Sequence, residues 1–158
     1  MGGVEQRLAE IRRRVARLDE QISEDAGAFG RAIEEIVRLK TEEEALLIVK
    51  KCVIDFFTQV VTRTPVDTGR ARVSWQFGVD AEPEGEEPEG DYRTKLAAHI
   101  AAASAKISAS KAAVWWIANH LEYIEYLEAG WSDQAPAGMV ALSLAELTRH
   151  LNTAVGDL

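Results

Sequence analysis

The sequence is short of the residues on which much protein chemistry depends. It has one cysteine, Cys52, in 158 residues, which excludes an internal disulfide and a thiolate metal cluster. Cys52 lies among Val49, Val53 and Phe56 in an apolar helical pattern, the setting of a buried inert thiol rather than a nucleophile. There are three histidines, His99, His120 and His150, and none has HExxH or HxH spacing, so metal-ligand pairs are missing. Gly69, Gly78 and Gly85 do not form a phosphate cradle, and no serine is framed in a nucleophile elbow. No metal or organic cofactor is expected. No apolar run approaches the ~20 residues that cross a bilayer. The opening MGGVEQRLAEIRRR lacks the apolar region of a signal peptide, so neither export by that route nor a membrane partner is expected.

Basic charge is also in deficit. Eighteen Lys and Arg face 26 Asp and Glu, for a net charge of −8. Seven of the acids (Asp80, Glu82, Glu84, Glu86, Glu87, Glu89, Asp91) lie in DAEPEGEEPEGD at 80–91 with no base among them, so the rest of the chain is close to neutral. No basic face emerges that would grip phosphates over many contacts, and sequence-specific nucleic-acid recognition is not expected. Like charges, prolines and glycines in this stretch predict a mobile loop projecting into solvent.

What remains is a chain of single-domain length, 47% apolar and without internal repeats. Val4, Leu8, Ile11, Val15, Leu18 and Ile22 recur with gaps of four and three, a coiled-coil-like seam about three heptads long. A stripe this narrow packs on the chain's own domain, meets a neighbouring subunit, or stays solvated as an isolated helix. Gly27 and Gly30 predict a break near 25–30, dividing a helical extension (1–30) from an α+β domain (31–158). A helix at about 31–63 carries a broad apolar stripe (Ala45, Leu46, Val49, Val53, Ile54, Phe57, Val60, Val61), and Pro65 stops it. RARVSWQFGV at 70–79 alternates and predicts a strand with Ala71, Val73, Trp75, Phe77 and Val79 on one face. After the acidic stretch come a helix at 92–107, a second strand at 112–118, a short helix at 121–129, a loop at 131–138 and a last helix at 138–154. Strands among helices make an α+β fold: a small antiparallel sheet packed with helices, a long N-terminal helical segment and a C-terminal helix.

Candidate reactive groups read more simply as structure. Glu122, Glu125 and Glu128 share a helix and predict a solvated face. Asp67-Thr68-Gly69 after Pro65 predicts a turn, with Asp67 bonding its own backbone and Gly69 taking positive φ. No pair of acids is spaced for acid–base work, so an enzyme is not expected. Trp115 and Trp116 are adjacent in a strand and must point to opposite faces; Trp116 is then covered by a helix or presented to a partner. Trp131 sits in a loop with Gln134 and Pro136, where an interface role is open.

Two blocks suggest a family. The first is Thr64-Pro65-Val66-Asp67-Thr68-Gly69-Arg70-Ala71-Arg72-Val73-Ser74-Trp75. The second runs from Ile117-Ala118-Asn119 past Tyr123 to Leu127-Glu128-Ala129-Gly130 and closes with Ser132-Asp133-Gln134-Ala135-Pro136-Ala137-Gly138-Met139-Val140. In order and spacing, over about 45–150, they resemble the phage tail-completion (neck) family that includes the lambda minor tail protein Z. The resemblance implies a virion protein of a long-tailed phage, prophage or gene transfer agent, made in the host cytoplasm and resident at the head–tail junction. It implies a ring of copies, expected to be a hexamer, touching the tail terminator, tail tube or head-completion proteins, with DNA passing through the lumen. It brings no catalytic residues; Pro65, Asp67, Gly69, Gly130 and Gly138 become turn-formers. The expected interface residues are Leu8, Ile11, Val15, Leu18, Ile22, Trp116, Trp131, Gln134 and Met139. The acidic loop is expected at a ring surface or lumen, where its charge keeps DNA from sticking. A competing class is a binding or regulatory module that dimerises through the N-terminal helix.

Overall fold

The computed structural model describes residues 2–111 and 114–157. The fold is α+β: a two-stranded antiparallel sheet packed among helices, with a long helix at the N-terminus and another at the C-terminus. In chain order the elements are α1 (Gly2–Leu39), α2 (Glu42–Arg63), α3 (Arg70–Val73), β1 (Gln76–Val79), α4 (Leu96–Ala109), β2 (Trp115–Ala118), α5 (Ile124–Glu128) and α6 (Val140–Gly156). The sheet register pairs Gln76 with Ala118 and Gly78 with Trp116.

The predicted break at 25–30 is absent. α1 runs through Gly27 and Gly30 as one 38-residue helix, because its C-terminal half buries Ala32 and Ile36 with Ala45, Cys52, Leu147 and Leu151. That burial outweighs the ~1 kcal/mol each helical glycine costs. The chain turns instead at Lys40–Thr41. There Thr41 caps α2 in a reciprocal box: its hydroxyl accepts from the Glu44 amide, and the Glu44 carboxylate accepts from the Thr41 amide at 3.0 Å. The signature Thr-x-x-Glu stands in the sequence and marks a helix start. α2 ends at Thr64, held extended (φ −65°, ψ 129°) before Pro65.

The predicted strand at 70–79 is half strand. Gly69 takes φ +81° and the chain enters a single helical turn, α3, before β1 begins at Gln76. Arg72, on that turn, reaches back to the carbonyls of Thr62 and Thr64 at 2.9 and 2.8 Å and caps the end of α2. Ala71, Val73, Trp75 and Phe77 are buried all the same, whereas Val79 is exposed. The predicted strand at 112–118 begins at Trp115; Ala112 and Ala113 lie outside the described residues.

Two apolar clusters share α2. One joins Phe57, Val60 and Val61 to Trp75, Phe77, Ile107 and Met139. The other packs α1 and α6 on the opposite side, around Ile36, Cys52 and Leu151. Across the seam between α2 and α6, Arg63 pairs with Glu146 and donates to Ser143 Oγ at 2.9 Å.

Candidate functional site

The two resembling blocks fold against each other, and most of their polar side chains go into holding backbone. Thr64 is fully buried. Its hydroxyl donates to the Val60 carbonyl (2.7 Å) and accepts from Trp75 Nε1 (2.8 Å), fastening the start of β1 to the end of α2. Asn119, just after β2, donates to the Ala71 carbonyl and accepts from the Leu121 amide. Gln134 pairs with Val66 as a strand would: the Val66 amide donates to Oε1 (2.9 Å) and Nε2 donates to the Val66 carbonyl (3.0 Å). The interface candidate Gln134 therefore spends its amide within its own chain, linking the loop after α5 to the turn after α2.

Glu128 is the strongest of these pins, and the predicted solvated face misplaces it. Its carboxylate accepts from the amides of Met139, Val140 and Ala141, each at 2.8 Å, and so neutralises the unpaired N–H groups and positive end of α6. Gly138 makes this approach possible. It sits at φ +84°, and a Cβ there would lie 2.6 Å from the Glu128 carbonyl oxygen. Gly130 has the same φ, and its Cβ would fall 2.5 Å from the Pro136 carbonyl oxygen. Glu122 and Glu125 are exposed. No local signal in the sequence links Glu128 to a helix that starts twelve residues later.

Other candidates fall differently. Met139 is wholly buried in the chain's own core; a side chain with no exposed area offers nothing to a partner. Asp67 is exposed and makes no backbone turn bond among the described residues; Thr68 Oγ1 does so instead, accepting from the Arg70 amide at 3.3 Å. Pro65 is buried, and Gly69 leaves room for the Tyr92 backbone, which a Cβ would meet at 2.8 Å. Of the seam, Ile11 is buried, Leu8, Val15, Leu18 and Ile22 are half-buried and Val4 is exposed. The seam half of α1 runs beside the segment 128–137 of the same chain, with Ile11 and Leu18 among the residues that face it. Trp115 is partly covered and its indole donates to Ser110 Oγ; Trp116, on the other face, is 39% exposed. Trp131 is 45% exposed, with the Arg7 guanidinium 4.2 Å above its ring and Tyr126 against its edge.

The acidic stretch 80–91 is tied down. The carbonyls of Pro83, Gly85 and Glu87 accept from His120 (2.7 Å, in the tautomer that protonates Nε2), Gln76 (2.7 Å) and Arg70 (2.7 Å). Arg70 also pairs with Glu86 at 3.0 Å. The strap lies directly over the sheet, because Gly78 has no Cβ to meet the Ala81 carbonyl and Pro83. Charge and proline content predict a mobile loop, whereas donors from α3, β1 and His120 fasten it once the chain has packed.

Among the described residues, no cluster of three or more His, Cys, Asp or Glu is placed to hold a metal ion. Burial pushes the Cys52 thiol up from its ordinary pKa, away from the reactive thiolate. Among the described residues, no helix is long and apolar enough to cross a membrane. Compared with known proteins, the chain matches no family model, no curated protein and no solved structure.

Proposed function

We propose that this chain is a non-catalytic structural subunit of a long-tailed phage, prophage or gene transfer agent particle, a tail-completion or neck protein that forms a ring where tail meets head. One observation carries the reading: the two resembling blocks meet in a single place, and most of their polar side chains go into shaping backbone. Asn119, Glu128 and Gln134 each bond main-chain groups brought from elsewhere in the chain, and Thr64 ties the end of its own helix to the Trp75 indole. Polar groups so engaged build a rigid frame rather than a reaction centre. The frame leaves Trp116 and Trp131 at the surface, aromatic anchors of the kind interfaces favour. Tail terminator, tail tube and head-completion proteins are the partners this reading names, and the virion is the location.

Incubation of the purified chain with isolated tail tubes and filled heads, followed by electron microscopy and native mass spectrometry, tests it. Rings seated on tube ends are expected. A chain that stays free beside every tail and head component overturns the proposal.

A further inference from the structure

α1 and the loop after α5 enclose a groove that the sequence did not announce. Two adjoining cavities, of about 320 and 200 Å³, share Arg14 and Ala129 as walls. Arg7, Arg14 and Arg17 line the helix side; Trp131 and Pro136 line the other. Two acids border the groove. Glu10 is paired with Arg14 at 3.3 Å, and both oxygens of Glu128 are engaged by the start of α6. From Arg7 to Gln21 the groove follows α1 for about 21 Å at ~1.5 Å per residue.

The acidic strap is its counterpart. Alternate carbonyls, those of Pro83, Gly85 and Glu87, are fastened to the body of the protein. The side chains of Glu84, Glu87 and Glu89 are exposed and make no ion pair or hydrogen bond among the described residues. Residues 82–89 carry no regular secondary structure, and the strap turns at Gly85 (φ +86°). Among the described residues, no ion pair or hydrogen bond joins strap and groove within one chain. Each chain therefore carries a fastened acidic ridge and an arginine-lined groove of opposite charge, unsatisfied by one another among the described residues.

We infer that the groove between α1 and residues 129–137 receives the 82–89 ridge of a second copy of this chain. A contact between two different patches is head-to-tail, and repeats into a closed ring or an open filament. The inference rests on the ring reading only for closure of the assembly. It assigns the acids to a contact between subunits, not to repelling DNA in a lumen. Because both patches are exposed, the contact weakens steeply with salt.

Charge exchange in the full-length chain tests it, with sedimentation velocity at about 0.05 and 0.5 M salt as the readout and circular dichroism as the check on folding. Arg7→Glu/Arg14→Glu/Arg17→Glu and Glu84→Arg/Glu87→Arg/Glu89→Arg are each expected to weaken self-association at low salt at least tenfold. Mixing the two variants, or joining all six changes in one chain, restores it, because every groove again meets an opposite ridge. The ridge variant alters only exposed side chains, so it reports even if the groove variant is unstable. Assembly that ignores both reversals and salt, or reversals that mixing does not rescue, overturns this contact while leaving a ring built by other surfaces. A wild-type chain that is monomeric at low salt but seats on tail tubes overturns the contact alone; one that does neither overturns the neck reading as well.

Discussion

The loop region 119–139 and the N-terminal half of α1 lie against each other, yet different forces hold them. In the loop, side chains bond distant backbone: Asn119 to Ala71, Gln134 to Val66, Glu128 to the start of α6. Two glycines at φ +84° permit approaches that any side chain would block. In residues 2–24 of α1 a thin apolar seam, with Ile11 its one buried member, is helped by two side-chain contacts to the loop, Arg7 over the Trp131 ring and Arg14 donating to the Ala129 carbonyl. Directional bonds define one geometry and tolerate little change. A narrow seam tolerates most substitutions and loses its place only when apolar bulk is removed. The contrast separates a frame from a presented surface.

The comparison breaks first at the glycines. Gly138→Ala and Gly130→Ala each force an L residue into left-handed backbone and a Cβ against a carbonyl oxygen. Each should cost ~3–4 kcal/mol in urea unfolding, beyond any effect in α1. Glu128→Ala strands three amides at the start of α6 and should cost ~3 kcal/mol, with exchange protection lost first at Val140 and Ala141. Ile11→Ala should cost ~2 kcal/mol, and the loss should be local: hydrogen exchange rises over residues 2–24 while the core clusters stay protected. Were the whole protein to loosen, the seam would belong to the frame. Gln134→Ala removes two solvent-edge bonds and should cost ~1 kcal/mol.

The smallest effect concerns acid. Bonding by Arg63 holds the Glu146 carboxyl below its ordinary value of 4.5. Its folded pKa is depressed, so its contribution is full above the unfolded value and fades as pH falls from 4.5 toward the folded one. Asp91, brought to about 2 by Arg93, acts in the same direction lower down, between 3.8 and about 2. Glu146→Gln should lower the neutral plateau of a melting-temperature profile slightly and leave its acid end unchanged, so that the limb below pH ~5 flattens.

Much of the fold was legible because it rests on local patterns. The seam, the broad stripe of α2, the Pro65 stop and the sheet-forming segments follow from periodicity and backbone restriction. The misplaced elements share a cause. Gly27 and Gly30 signal a break that tertiary burial overrides, and 70–79 alternates like a strand although Arg72 is needed on a helical turn to cap α2. Of the candidate site, the positions of the turn glycines were legible and the partners of the polar residues were not. Gln134 and Glu128 take their meaning from groups 68 and 11 to 13 residues away.

By itself the sequence determined the α+β class, the order of the helical and sheet-forming segments, and the concentration of acid at 80–91, since these depend on composition and on neighbours within a turn or two. Only the tertiary structure decided that the acidic stretch is fastened down, that Met139 is core, and that Arg7, Arg14 and Arg17 face Trp131 and Pro136 across a groove. The reason is range: helix and strand patterns repeat every two to four residues, whereas a hydrogen bond or a groove wall joins segments that meet only after the chain has packed.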